Sequence, residues 1–221
     1  TSDGEEDNVY AAAGNAWGHT MEVSLQVRWS FDSKKILTLQ RDSRRVEVLP
    51  VLHHVPEDGS LRPKVTNHKV AYPGDEHVVE LKILAVDIKS RRIQSADYPR
   101  IPVTRNSHGL FTSNLVWWAK DGRTAYFIDL TRDYKVARLV QFNTVSGHTN
   151  VLFEEFAKTH INLMLNIDEY PTILPLPDTD ELIWFSERSG WAHLYLYDTN
   201  TGQLKNTITQ GQWLVRDISH F

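Results

Sequence analysis

Two stretches of this chain repeat, and the repeats constrain its fold more than any other feature. Trp29-Ser30-Phe31-Asp32-Ser33-Lys34-Lys35-Ile36-Leu37 matches Trp118-Ala119-Lys120-Asp121-Gly122-Arg123-Thr124-Ala125-Tyr126 position for position. Each copy reads as strand, tight turn, strand, with an Asp at the turn whose side chain can cap backbone N–H groups. Arg138 to Gly147 then recurs as His193 to Gly202, an alternating strand that ends in a Ser/Thr-Gly turn. Together the copies define a unit of four antiparallel strands. Such a sheet cannot bury both faces alone, so copies must stack on one another. Stacked around an axis, they are propeller blades.

Other segments carry the same period-two alternation: 23–29, 35–40, 79–88, 124–128, 137–142, 181–186 and 192–197. Turn pairs such as Asp121-Gly122, Ser189-Gly190 and Thr201-Gly202 separate them. One stretch, Leu152 to Lys158, reads as helical and is too short to form a domain element. The class is all-β, with three four-stranded blades expected over about 23–95, 110–157 and 168–209. Propellers need about four to eight blades, so the whole of 1–221 is expected to be an arc of a larger ring. The absence of an initiator Met agrees with a segment of a longer chain.

Between the second and third strands of the first blade lies an insertion, 42–76, too long for a hairpin loop. Strand-like pieces at 46–55 and 68–72 make it a projecting arm. Val46, Val48, Leu49, Val51 and Leu52 give that arm an apolar face in want of a partner.

Composition removes several classes of function. With 28 acids against 24 Lys and Arg, the net charge of −4 offers no general attraction to nucleic acid. Arg44-Arg45 and Arg91-Arg92 are isolated pairs on turns. There is no Cys, hence no thiol catalysis and no thiolate metal site. Of the ten His residues, His53 and His54 are adjacent and point to opposite faces of a strand. The others lack chelating spacings, so no metal and no cofactor is predicted. No apolar run approaches the roughly 18 residues of a membrane helix. The tryptophans Trp17, Trp29, Trp117, Trp118, Trp184, Trp191 and Trp213 are expected mostly in blade cores. His193 is expected to pack inside its blade beside Trp191. Glu187 and Arg188 are read as a structural ion pair or as residues facing a central channel.

The residues also carry a resemblance. Trp29 to Leu37, Tyr72-Pro73-Gly74-Asp75-Glu76 and Ser186-Glu187-Arg188-Ser189-Gly190-Trp191-Ala192-His193-Leu194-Tyr195-Leu196-Tyr197-Asp198 resemble the N-terminal propeller of the dipeptidyl peptidase IV branch of the prolyl oligopeptidase family. Phe31 stands where that family usually has Pro. The resemblance implies an eight-bladed propeller followed by an α/β-hydrolase domain, in a serine exopeptidase that removes dipeptides from peptide N-termini. It further implies a homodimer supported by the 42–76 arm and a periplasmic or extracellular setting; a Cys-free chain is equally compatible with the cytoplasm.

No Gly-x-Ser-x-Gly nucleophile elbow occurs here, so the segment is expected to hold no catalytic residue, the hydrolase domain lying outside it. In the family a Glu pair anchors the substrate's ammonium group. Aligning Trp29 with the family motif places that pair near Gly18 and His19, where no acid stands. The candidates that remain are Glu5, Glu6 and Glu22, each of which also reads as an ordinary surface acid. A rival reading from another class, a TolB-like propeller that only binds a protein partner, fits the repeats equally well; the inserted arm favours the peptidase reading.

Overall fold

The computed structural model describes residues 4–5, 7–13, 24–103, 109–112, 115–163, 173–216 and 218. Three antiparallel sheets stand side by side as an unclosed arc. The middle sheet runs β11 (Val116–Trp118), β12 (Thr124–Leu130), β13 (Val136–Asn143), β14 (Thr149–Phe156), in that spatial order. The last repeats the pattern with β15 (Leu174–Leu176), β16 (Glu181–Ser186), β17 (His193–Asp198) and β18 (Leu204–Thr207).

The first sheet has six strands on a four-strand footprint. β5 (Lys35–Asp42) and β8 (Glu80–Asp87) pair along their whole length. On the outer edge of β5, β4 (Val27–Trp29) covers Ile36 to Thr38 and β1 (Asn8–Tyr10) covers Gln40 to Asp42. On the outer edge of β8, β9 (Ile93–Ser95) and β10 (Ile101–Pro102) divide the strand in the same way. A short pair, β2 (Ala12–Ala13) with β3 (Ser24–Leu25), and a single turn of helix, α1 (Gly109–Thr112), complete the blades.

The expected strand over 23–29 is therefore two pieces, broken at the buried Gln26. Gln26 turns its side chain to the Phe111 backbone N–H, 3.2 Å away, and its own N–H bonds the Ala11 carbonyl.

The helical expectation over 152–158 is overturned, because Thr149–Phe156 is the outer strand of the middle blade. Leu139 pairs with Phe153 and Val140 with Val151, so Leu152 is an extra residue in a β-bulge. The bulge interrupts the period-two alternation and leaves apolar residues adjacent, which imitates a helical face.

Among the described residues, two cores join the blades. Leu37, Leu39, Ile83 and Ala85 of the first pack against Val116, Trp118, Phe127, Val140 and Phe142 of the second. Trp117, Tyr126, Ile128 and Leu139 pack against Leu182, Trp184, Tyr195 and Tyr197 of the third. The adjacent pair Trp117-Trp118 serves both cores, since neighbouring residues of a strand face opposite ways.

Trp117, Trp118 and Trp184 are buried as expected, but Trp29, Trp191 and Trp213 are each between 43% and 53% exposed; Trp17 lies outside the described residues. Trp29 occupies the repeat position of Trp118, on a blade face that no sheet covers among the described residues.

The repeat glycines mark close approach between blades. Gly147 and Gly202 have φ of 89° and 73°, in the left-handed region. A Cβ on Gly202 would press into the Leu152 backbone carbonyl of the neighbouring blade, and one on Gly147 would meet Gln94 and the Ser95 carbonyl. Gly202→Ala therefore combines φ strain with a backbone clash and should cost about 2–4 kcal/mol in chemical denaturation. A loss below about 0.5 kcal/mol would mean the blades are not held at this spacing.

Candidate functional site at the base of the arm

The insertion forms a two-stranded arm, β6 (Val48–His53) paired with β7 (Lys64–Lys69) in register from Val48↔Lys69 to His53↔Lys64. The second piece of the arm was expected at 68–72 and instead occupies Lys64–Lys69. β7 is polar and mostly exposed on both faces, so it carries no apolar alternation.

One face presents Val48 and Leu52 of β6 and Val65 of β7, all at least half exposed. The other carries His53, Thr66 and His68, with the Thr66 hydroxyl 2.8 Å and 2.9 Å from the two imidazole Nε2 atoms. Val46, expected on the apolar face of the arm, is buried at its root. Among the described residues no three metal-ligating side chains converge.

Charge fixes the arm at its base. The Arg44 guanidinium reaches both oxygens of Asp42, at 3.0 and 2.7 Å, and Glu5 at 3.1 Å. The Arg44 hydrogen bond is the largest influence on Asp42 and holds its carboxyl down at about 2. Lys69 reaches Asp7 at 3.0 Å and donates to the Arg44 carbonyl at 3.0 Å. Asp7 in turn accepts the Ser43 N–H on its carbonyl at 2.7 Å, its own φ being 69°.

From the second blade, Arg132 in the β12–β13 turn donates to the carbonyls of Tyr72, at 2.8 Å, and Asp75. One guanidinium thereby closes over the Tyr72-Pro73-Gly74-Asp75 turn and ties the arm's return strand to a different blade. Arg41, Lys69 and Arg132 line one cavity of about 340 Å³ between arm and blades, with Val70, Val79 and Val103 in its wall.

The sequence-selected acids divide. Glu5 is exposed, bridges Asn8 through the backbone and is paired with Arg44. Glu6 and Glu22 lie outside the described residues.

The Glu187–Arg188 pairing is corrected. Glu187 is exposed, and Arg188 bonds Glu155 of the neighbouring blade at 2.5 Å. Glu155 also accepts the Trp184 indole N–H at 2.7 Å and the Ser186 hydroxyl at 2.5 Å. Arg188 donates to Tyr197 Oη at 2.6 Å and lies over the Tyr195 ring. This is a pin between the second and third blades.

His193 is buried as expected, with ring nitrogens 3.1 Å from Thr209 Oγ1 and 2.9 Å from the Gly211 carbonyl. Its aromatic neighbour is Trp213 rather than Trp191.

Sequence reading missed Asp7, Arg132 and Glu155 as organising residues. Their partners lie 62, 60 and 33 positions away, as the numbering of Asp7–Lys69, Arg132–Tyr72 and Glu155–Arg188 gives. Only the Tyr72-Pro73-Gly74-Asp75 turn itself was visible as a motif.

An arc of antiparallel four-stranded blades carrying an inserted arm defines a propeller segment. The chain belongs to the family described as the dipeptidyl peptidase IV (DPP IV) N-terminal region, which matches residues 1–221. Among solved structures it is similar to a Bacteroides ovatus ATCC 8483 protein assigned as a dipeptidyl aminopeptidase IV, at 22% identity and a TM-score of 0.71, over 100% of this chain and 31% of that one. It is also similar to Porphyromonas gingivalis dipeptidyl peptidase 4, at 19% identity and a TM-score of 0.74, over 97% of this chain and 28% of that one. At these identities the likeness establishes the fold. The chain spans about a third or less of the length of either protein.

The root of the arm should respond to acid. Asp42 titrates at about 2 when folded, against roughly 3.9 for an unfolded aspartate. The folded state therefore binds fewer protons in that window. Its stabilisation is complete above about pH 5 and is lost as pH falls toward 2. Asp42→Asn should flatten this acid limb by on the order of 1 kcal/mol. An unchanged pH profile of unfolding would show that the Asp42–Arg44 pair does not tie the arm down.

Proposed function

We propose that this chain is the non-catalytic propeller segment of a dipeptidyl peptidase IV-like serine exopeptidase. It shapes the cavity and gate through which a peptide reaches a separate hydrolase domain, and its arm supports a homodimer. The observation that carries this reading is the inserted arm, a hairpin with Val48, Leu52 and Val65 exposed on one face and a charged, hydrogen-bonded root. A hairpin alone is marginal in water. One fixed at its root with apolar side chains outward is suited to packing against another surface. Membership of the family supports the peptide-handling part of the proposal.

For the gate we propose Glu5, Glu6 and Glu22 as the acids available to a peptide ammonium group. Glu5 stands at the root of the arm, where Arg44 shares its carboxylate.

The test uses the full-length gene product and an Xaa-Pro chromogenic dipeptide, beside the same peptide with a blocked amine. Cleavage of the free-amine substrate alone is expected. Replacement of the anchoring Glu by Gln should lower kcat/KM about 10- to 100-fold, mainly through KM. Equal cleavage of both substrates would remove the acidic gate, and cleavage of neither would leave a peptide-binding propeller without peptidase function.

Replacing 48–69 by a short Gly linker should halve the mass seen by light scattering. An unchanged mass would remove the arm from the dimer.

A further inference from the structure

The cavity at the base of the arm combines charge and apolar surface in a way the fold does not require. Arg41, Lys69 and Arg132 converge on it from the first blade, the arm and the second blade. Lys69 is paired with Asp7. Arg132 donates to the carbonyl oxygens of Tyr72 and Asp75, which orient its guanidinium, and the Asp75 carboxylate is turned back onto the Tyr72 N–H at 2.7 Å. Arg41 bonds the Ser43 hydroxyl at 3.2 Å. Burial draws the Arg41 pKa below its ordinary value, against the opposing pull of Asp7.

Among the described residues, three cations and no carboxylate line the cavity, with Asp7 on Lys69 and Asp75 on the Tyr72 N–H beside it, in a molecule whose overall charge is −4. Arg41 is half-buried, and a guanidinium in that setting is costly unless an anion completes it; Arg132 is exposed and adds charge at the rim. Arg presents a planar fork of donors suited to a carboxylate. The remaining wall is Val70, Val79 and Val103, with Tyr72 and Pro73 at its margin. A bare inorganic anion would leave that wall wet. A carboxylate with an apolar side chain beside it satisfies both parts, and about 340 Å³ is at the lower end of small-ligand cavities.

We propose that this cavity binds the C-terminal carboxylate of a peptide, with Arg41 and Lys69 on the carboxylate and the valine wall against the terminal side chain. The choice of a peptide over other apolar carboxylic acids rests on the peptide-handling function proposed above; the anion site itself rests on the cavity. Such a site sets a preference at the end of the peptide opposite the one an amino-terminal gate reads. Short peptides with a free carboxylate are then held differently from long or amidated ones.

The experiment is calorimetric titration of the full-length protein with N-acetyl-Leu-Val, its C-terminal amide and inorganic phosphate. The acetylated probe has no free amine, so the outcome is independent of whether the protein is a peptidase with an acidic gate. The free acid should bind at least about tenfold more tightly than the amide, and phosphate at equal concentration should not displace it. Arg41→Gln should weaken the free acid about tenfold or more and leave amide binding unchanged. Arg132 and Lys69 are left intact because they also hold the Tyr72–Asp75 turn and the root of the arm. Equal binding of acid and amide, displacement by phosphate, absence of binding, or an unaffected folded Arg41→Gln variant would each overturn the proposal.

Discussion

The middle blade is apolar on both faces, and the rest of the arc depends on that. Trp117, Tyr126, Ile128 and Leu139 point to one side; Val116, Trp118, Phe127 and Val140 point to the other, and all are buried. A sheet of this kind has no face to give to water. It is stable only between two other sheets, and each large side chain so covered contributes roughly 1.5–3 kcal/mol. Blade stacking is therefore the condition for this segment to fold.

Polar groups then set the geometry that apolar packing leaves loose. The Trp118 indole donates to the Arg28 carbonyl at 3.0 Å, and Lys35 donates to the Gly122 carbonyl at 2.9 Å, both across the first junction. The buried Asp129 accepts the Tyr98 hydroxyl at 2.8 Å and pairs with Arg138 at 3.0 Å; burial first, and then the bond to Asp129, raises the Tyr98 pKa. Glu155 and Arg188 do the corresponding work at the second junction. Because Arg132 spans from the second blade to the arm's root, the position of the arm is inherited from blade stacking. The candidate carboxylate cavity exists only where those three parts meet.

The fold was legible in the sequence wherever structure repeats. Asp121 and Asp198 cap their turns through backbone N–H groups, and the Thr201 N–H heads the bonds that hold the Asp198 carboxyl below the usual range. Glu181–Ser186 forms the expected strand, buried at five consecutive positions. Reading failed where the period is broken or unused: at the Leu152 bulge, and on β7, where neither face packs on a core. The site was less legible still. Glu187 is next to Arg188 in sequence, but strand geometry hands Arg188 to Glu155 in the adjacent blade. Arg41 and Lys69 carry no motif at all; only the stacking of blade and arm brings them to one cavity.

Native-state hydrogen exchange tests the dependence on the middle blade most directly. Amides of β12 and β13 should exchange slowest and only through global unfolding, with those of β5 and β16 close behind and those of β6 and β7 orders of magnitude faster. Protection in the three blades should fall together when Trp117 or Trp118 is truncated. Blades that exchange independently, or a first blade whose protection survives Trp118→Ala unchanged, would contradict an arc held together by its central sheet.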